Sequence, residues 1–225
     1  MDDKNSFDMF AKNYNDILSK QLGFFEDDNL YFAEYKIAKL KNLIQFSPNN
    51  ILDFGCGIGR STSFLTHHFP NAHIHGCDVS EQSLIEAKKS LHSADFFLTA
   101  DLLTKQNKFD LIFVSNVFHH ISPNARLNTL DLLTKSGTAG GSIVIFEHNP
   151  YNPVTRHLVK ICPFDHDAVL LKPKELKLLF KQAGIQNIQL EYTLFFPSFL
   201  KRLRFLEKYL YFIPLGGQYV MSGTL

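Results

Sequence analysis

Tryptophan is absent from this chain of 225 residues, and cysteine and methionine are scarce, with 3 copies of each. Cys56, Cys77 and Cys162 are far apart and form no CxxC pair, which excludes a disulfide framework or a thiol redox motif and fits reduced thiols in a cytoplasmic protein. Charge of one sign is lacking too. With 23 basic and 22 acidic side chains the formal charge is +1, so no global field favours nucleic acid, and no nucleic-acid partner is expected. No apolar run approaches the roughly 20 residues that span a bilayer, and the start Met1-Asp2-Asp3-Lys4-Asn5 is too polar for a secretory signal. What is abundant is phenylalanine, with 22 copies, in a chain that is 45% hydrophobic and 20% charged. That composition belongs to a folded domain rather than a disordered segment, and the length suits one domain with small insertions.

Apolar positions at Phe7, Phe10, Ala11, Tyr14, Leu18 and Leu22 keep a helical period and predict an amphipathic cap helix. Tyr14 either faces a ligand or packs this helix to the domain. A second helix is expected from Asp28 or Asn29 to Ile44, with Pro48 beyond it. Residues 1–46 are therefore cap helices of the same domain as residues 47–225. From there short apolar strands alternate with helices: strands at Asn50 to Phe54, Ala72 to Cys77, Phe96 to Thr99, Phe109 to Ser115 and Ser142 to Phe146, then at about Ile185 to Thr193 and Gln218 to Thr224. Helices of roughly ten residues between near-continuous apolar strands predict an α/β fold with a doubly wound, seven-stranded, mostly parallel sheet. Glycines 137, 140 and 141 read as a turn, and substrate-side insertions are expected at 147–173 and 194–217. The second insertion carries Phe199, Leu200, Leu203, Leu206 and Leu210 at helical spacing, interleaved with Lys201, Arg202, Arg204 and Lys208. It reads either as a docked amphipathic helix or, through 198–212, as an interfacial helix on a membrane.

The chemistry begins at Asp53-Phe54-Gly55-Cys56-Gly57-Ile58-Gly59-Arg60. A strand runs into a turn with glycine at every second position, where positive φ and close ligand approach are both allowed. The dinucleotide fingerprint GxGxxG would need glycine at position 60, which is Arg60. In doubly wound sheets ligands gather at the C-terminal ends of the strands, and here those ends carry Asp53, Asp78, Asp101, Ser115 and Glu147.

The acidic-x-Gly-x-Gly-x-Gly turn resembles the first motif of class I S-adenosylmethionine-dependent methyltransferases. The resemblance continues through Gly76-Cys77-Asp78-Val79-Ser80, Ala100-Asp101-Leu102 and Phe109-Asp110-Leu111-Ile112 to Phe118-His119-His120. That last segment is similar to the small-molecule branch that includes the quinone-biosynthesis enzymes. The resemblance implies a Rossmann-like methyltransferase fold, S-adenosylmethionine as cofactor and S-adenosylhomocysteine as product. It further implies Asp78 on the ribose hydroxyls, Val79 against adenine, and Asp101 with Leu102 at the adenine edge. Asp53, Phe54, Gly55, Gly57, Gly59 and Ser115 would form the turn and line the methionine end, with Tyr14 above.

Methyl transfer from a sulfonium asks the protein mainly for in-line positioning, and a base only where the accepting atom is poorly ionised. His119 or its neighbour His120, and Glu147 with His148, are the candidates, each with a bland alternative as a packing or loop-anchoring group. Tyr151, Arg156 and His157 are candidates for recognising the acceptor. The spacing around Cys162 is not that of a zinc site, so no metal is expected. The expected activity is O- or C-methylation of a small molecule, sugar or lipid precursor. Alternatives are a membrane-peripheral lipid methyltransferase and a non-catalytic, cofactor-binding partner subunit. The acceptor and the oligomeric state are not encoded in these motifs.

Overall fold

The computed structural model describes residues 28–105 and 108–225. The expected helix from Phe7 to Leu22, and Tyr14 with it, lie outside the described residues. Helix α1 (Asp28–Leu43) leads to β1 (Asn50–Phe54), α2 (Arg60–His68), β2 (His73–Asp78), α3 (Glu81–Ser90) and β3 (Asp95–Leu98). After a short 3-10 turn at Thr99–Asp101 come β4 (Phe109–Ser115), α4 (Arg126–Ser136), β5 (Gly137–His148) and α5 (Pro153–Ile161). A 3-10 turn at Pro163–Asp165 precedes α6 (Pro173–Gln182) and β6 (Gln186–Thr193). A 3-10 segment, Ser198–Leu206, then runs into the single turn α7 (Glu207–Leu210) and β7 (Gln218–Thr224).

The seven strands form one sheet in the order β3-β2-β1-β4-β5-β7-β6. All pairs from β3 to β5 are parallel, and β7 is antiparallel to both β5 and β6. Strand alternation explains why the central strands read as unbroken apolar runs. Leu52, Phe54, Ile112, Val114, Ile143 and Ile145 enter one buried cluster, while Ile51, Leu111, Phe113, Val144 and Phe146 enter another with Ile37 and Leu40 of α1. Side chains of period two thus bury both faces of the sheet under helices. The chain order reverses between β1 and β4, which opens a crevice at their C-terminal ends.

Local signals place the helix starts. The Ser80 hydroxyl accepts the Ser83 N–H at 3.1 Å to cap α3, and the Asn152 side chain accepts the N–H groups of Val154 and Thr155 to cap α5, with Pro153 as its first residue. Two segments differ from the sequence expectation. The glycines at 137–141 belong to β5 rather than to a turn before it, since β5 pairs with β4 from Gly137. The segment 198–212 is not a continuous amphipathic helix: it is kinked at Leu200 (φ −107°, ψ 19°) and becomes α-helical only for the four residues of α7. Pro197 precedes it, and Phe195 and Phe196 donate their N–H groups to the Glu207 carboxylate, folding the segment back on itself.

Candidate active site

The three turn glycines divide their work. All have positive φ, at 72° for Gly55, 53° for Gly57 and 82° for Gly59. A Cβ on Gly55 would collide with Val117 of the loop after β4, so this glycine lets the two site loops approach. A Cβ on Gly59 would lie 3.2 Å from Ala87 of α3, which makes it a helix-packing glycine. Gly57 has nothing within 4 Å of that position. Its N–H instead donates to Asp78 Oδ2 at 2.8 Å, and Ser80 N–H donates to Asp78 Oδ1 at 2.9 Å. The turn after β1 therefore fixes the carboxylate at the end of β2.

A second construction stands across the crevice. Asn116, immediately after β4, takes the left-handed conformation at φ 57°, uncommon for a residue other than glycine. The turned chain directs the N–H groups of Val117 and Phe118 onto Glu147 Oε1, at 3.0 and 2.7 Å. The other oxygen, Oε2, holds His119 Nδ1 at 2.6 Å. On its far side His119 Nε2 lies 3.3 Å from Asp165 Oδ1, and His120 Nε2 lies 3.4 Å from the same oxygen. Fully buried Arg126 anchors this loop: its Nε donates to the carbonyls of Phe118 and Ile121, both at 3.1 Å, and its Nη1 pairs with Glu175 at 2.9 Å. Val169 N–H donates to the His119 carbonyl at 2.8 Å, which ties the stretch bearing Asp165 to the histidines.

Electrostatics separate the three histidines. Burial works against charge on His119, but Glu147 and Asp165 outweigh it and raise its pKa to about 9. Burial, reinforced by that neighbouring imidazolium, lowers His120 to about 4 and His148 to about 3. Burial opposes ionisation of Glu147 and Asp165 as well, yet the imidazolium holds Glu147 below its ordinary value and Asp165 at about 2. Lys36 of α1 is buried, which lowers its pKa to about 8, with Glu147 acting in the opposite direction; its Nζ donates to Ser115 Oγ at 2.9 Å.

Both constructions open into one cavity of about 830 Å³. Phe54, Gly55, Gly57, Asp78, Val79 and Ser115 line it, as do His119 and His148. Asp53, Gly59, Asp101, Leu102 and Glu147 stand outside the lining. Asp53 is buried behind the turn, accepting a 2.7 Å hydrogen bond from Thr62; burial raises its carboxyl to about 7. Leu102 is core, Asp101 is exposed on the 3-10 turn, and Thr99 reaches the cavity in their place. Glu147 meets the cavity wall through His119, whose Nδ1 it holds. Of the insertion residues, Tyr151, Arg156 and His157 lie outside the lining, whereas Val154, Thr155, Leu158 and Val159 of α5 are in it.

Lys36, Asn116, Arg126 and Asp165 are not singled out as site residues by the sequence. His120, a candidate through its place in the His-His pair, lines the cavity beside His119. Asp165 also completes a grouping that the spacing around Cys162 does not show: His119, His120 and Asp165 each offer a donor atom within 4.8 Å of the others.

Comparison with known proteins agrees with this architecture. Residues 52–143 match a protein-family model described as a methyltransferase domain. A SAM-dependent methyltransferase of Thermotoga maritima, titled a possible histamine N-methyltransferase, superposes with a TM-score of 0.69 at 18% identity, covering 99% of both chains. The fold is that of the S-adenosylmethionine-dependent methyltransferases. In sequence, the chain is 28% identical over 145 residues to a trans-aconitate 2-methyltransferase of Azoarcus sp. (strain BH72), covering 61% of this chain and 56% of that protein. It is 29% identical over 107 residues to a malonyl-[acyl-carrier protein] O-methyltransferase of Herminiimonas arsenicoxydans, covering 47% and 41%. The chain thus spans about half the length of these curated relatives. Among the described residues, no helix is long and apolar enough to cross a membrane.

Proposed function

We propose that the protein transfers a methyl group from S-adenosylmethionine to an acidic oxygen of a small molecule with an apolar body, leaving S-adenosylhomocysteine. One observation carries this reading: the glycine turn with Asp78 and the histidine–carboxylate cluster open into the same cavity on a methyltransferase fold.

The residues fit the cofactor. Each Asp78 oxygen accepts one of the two backbone N–H groups above, and a carboxylate oxygen retains acceptor capacity for a ribose hydroxyl. Gly57 leaves the turn open beside it, and Val79, 46% exposed, offers an apolar surface for a flat base. Bound there, the cofactor would supply a methyl group already activated by a sulfonium. The protein's part is then to hold the acceptor in line and exclude water.

Proton handling narrows the acceptor. His119 carries a proton between two carboxylates, so it positions and balances charge rather than accepting a proton. Neutral His148, in the cavity wall, is the nearest candidate base, but burial lowers its pKa to about 3, so it suits an acceptor that arrives ionised rather than one whose proton it must remove. A carboxylate would need no base and would pair with Lys36. The names of the trans-aconitate and malonyl-carrier relatives support an acid, and the likeness of Phe118-His119-His120 to the quinone-biosynthesis branch supports a phenol. Leu158, Val159, Phe195 and Phe196 supply the apolar wall. The test is methyl-labelled cofactor with a panel of apolar acids, phenols and polar sugars. Label in the acids or phenols supports the reading; label confined to sugars contradicts it.

A second reading places the acceptor in a membrane. Phe199, Phe205, Tyr209, Phe212 and Leu215 are exposed along the segment that bears Lys201, Arg202 and Lys208, and Phe199 and Leu200 also line the cavity. Apolar side chains interleaved with cations suit an anionic interface. Co-sedimentation with anionic vesicles, abolished in F205S/F212S, is the expected result; no sedimentation excludes this version.

A further inference from the structure

We propose that His119, His120 and Asp165 form a binding site for one divalent ion of the borderline transition series, of which zinc is the type. The donor atoms are Nε2 of each histidine and Oδ1 of Asp165, and the argument is geometric. Nitrogen and oxygen ligands at about 2.1 Å from a shared ion in tetrahedral array stand about 3.4 Å apart. Asp165 Oδ1 is 3.3 Å from Nε2 of His119 and 3.4 Å from Nε2 of His120, and the three residues each offer a donor atom within 4.8 Å of the others. Two edges of a coordination polyhedron are already at their working length.

The surroundings point the same way. A metal-bound imidazole commonly gives its other nitrogen to a carboxylate, which sets the tautomer and aims the ligating nitrogen. Glu147 does this to His119, at 2.6 Å, and is itself immobilised by two backbone N–H groups. An ion pair alone would need one imidazole against Asp165. Here a second is pressed onto the same oxygen, with ring centroids 4.1 Å apart. Two imidazoles and one carboxylate select zinc and its neighbours over magnesium or calcium, which prefer all-oxygen shells. All three side chains line the cavity, so the remaining coordination position faces whatever molecule occupies it. The sequence hides this arrangement because Asp165 follows the histidines by more than forty positions.

The site shares His119 and the cavity with the methyl-transfer reading, an ion taking the place of the proton on His119 Nε2, but its test is independent of that reading. Chelator-treated, dialysed full-length protein is titrated calorimetrically with zinc chloride, and separately with cobalt(II) while visible absorption is recorded. The expected result is one ion per chain, with cobalt d–d bands of mixed nitrogen and oxygen coordination. H120A and D165N should each weaken binding at least tenfold, and E147Q, which keeps all three ligands, by about 10- to 100-fold. Thermal melting confirms that each variant is folded, and the two ligand variants act as checks on one another. Absence of saturable binding, or stoichiometric binding unchanged in H120A and D165N, overturns the proposal. Protein that binds adenosylmethionine but no metal sinks only the metal site; the converse sinks only the function.

Discussion

The two walls of the cavity are built in opposite ways. The cofactor side is local: Gly55, Gly57, Asp78 and Ser80 lie within about one βαβ unit, and its key contacts are backbone N–H groups meeting one carboxylate. The opposite wall is assembled from Lys36, Asn116, His119, Glu147, His148 and Asp165, which belong to separate elements and meet through buried charge. A wall made of backbone tolerates changes of side chain. A wall made of buried ion pairs depends on every partner, because losing one strands another.

The comparison breaks most visibly at Arg126. R126M removes the cation that holds the Phe118 and Ile121 carbonyls and Glu175. Arg126 is buried but Glu175 is 43% exposed, so the loss is set mainly by the hydrogen bonds from the guanidinium to the loop carbonyls, about 3 kcal/mol in all, which for a domain of this size lowers the melting temperature by roughly 10 °C. Differential scanning calorimetry measures it, and a change under about 2 °C would mean that Arg126 anchors nothing. Next in size is D78A, which strands the N–H groups of Gly57 and Ser80 and removes the proposed ribose partner. Hydrogen bonds to charged groups contribute about 1.5–3 kcal/mol, so adenosylmethionine should bind at least tenfold more weakly. E147Q, on the other wall, should leave that affinity within about threefold while impairing methyl transfer; equal effects from both variants would erase the distinction between the walls.

How far each wall was legible follows from the same contrast. Parallel strands buried on both faces announce themselves as apolar runs, and the glycine turn, Asp78 and the Ser80 cap sit in continuous stretches, so the fold and the glycine-turn wall can be read in order. His119, Glu147 and His148 were visible only as polar residues at strand ends. Their partners were not, because Arg126 looks like an ordinary surface arginine of a helix and Asp165 like a loop acid. Nothing local records that Asn116 turns left-handed to bring Glu147 against two amides. The segment 198–212 misled in the other direction: its helical spacing is real, but Pro197 and the Glu207 carboxylate fold it into 3-10 turns.

Titration sharpens the contrast in metal-free protein. Because the folded pKa of His119 lies at about 9, above its ordinary 6.5, its pairing stabilises the fold fully below pH 6.5. That contribution is lost as pH rises toward 9. Wild type should therefore lose stability across this window in urea titrations, and E147Q should do so much less. NMR of the imidazole should report the raised pKa directly; titration near 6.5 would contradict the two-carboxylate geometry. The smallest effect belongs to the cofactor side. G57A meets no neighbouring atom, so only its positive φ is penalised, by about 1 kcal/mol, whereas G55A also drives a Cβ into Val117 and should be the more disruptive of the two.

The central claim is that the turn after β1 and the carboxylate ending β2 form an adenosylmethionine site. Isothermal titration of ligand-free protein with adenosylmethionine tests it most directly. The account predicts one saturable site per chain that is weakened in D78A and retained in E147Q. No heat of binding at millimolar cofactor, with the protein shown to be folded, would contradict it.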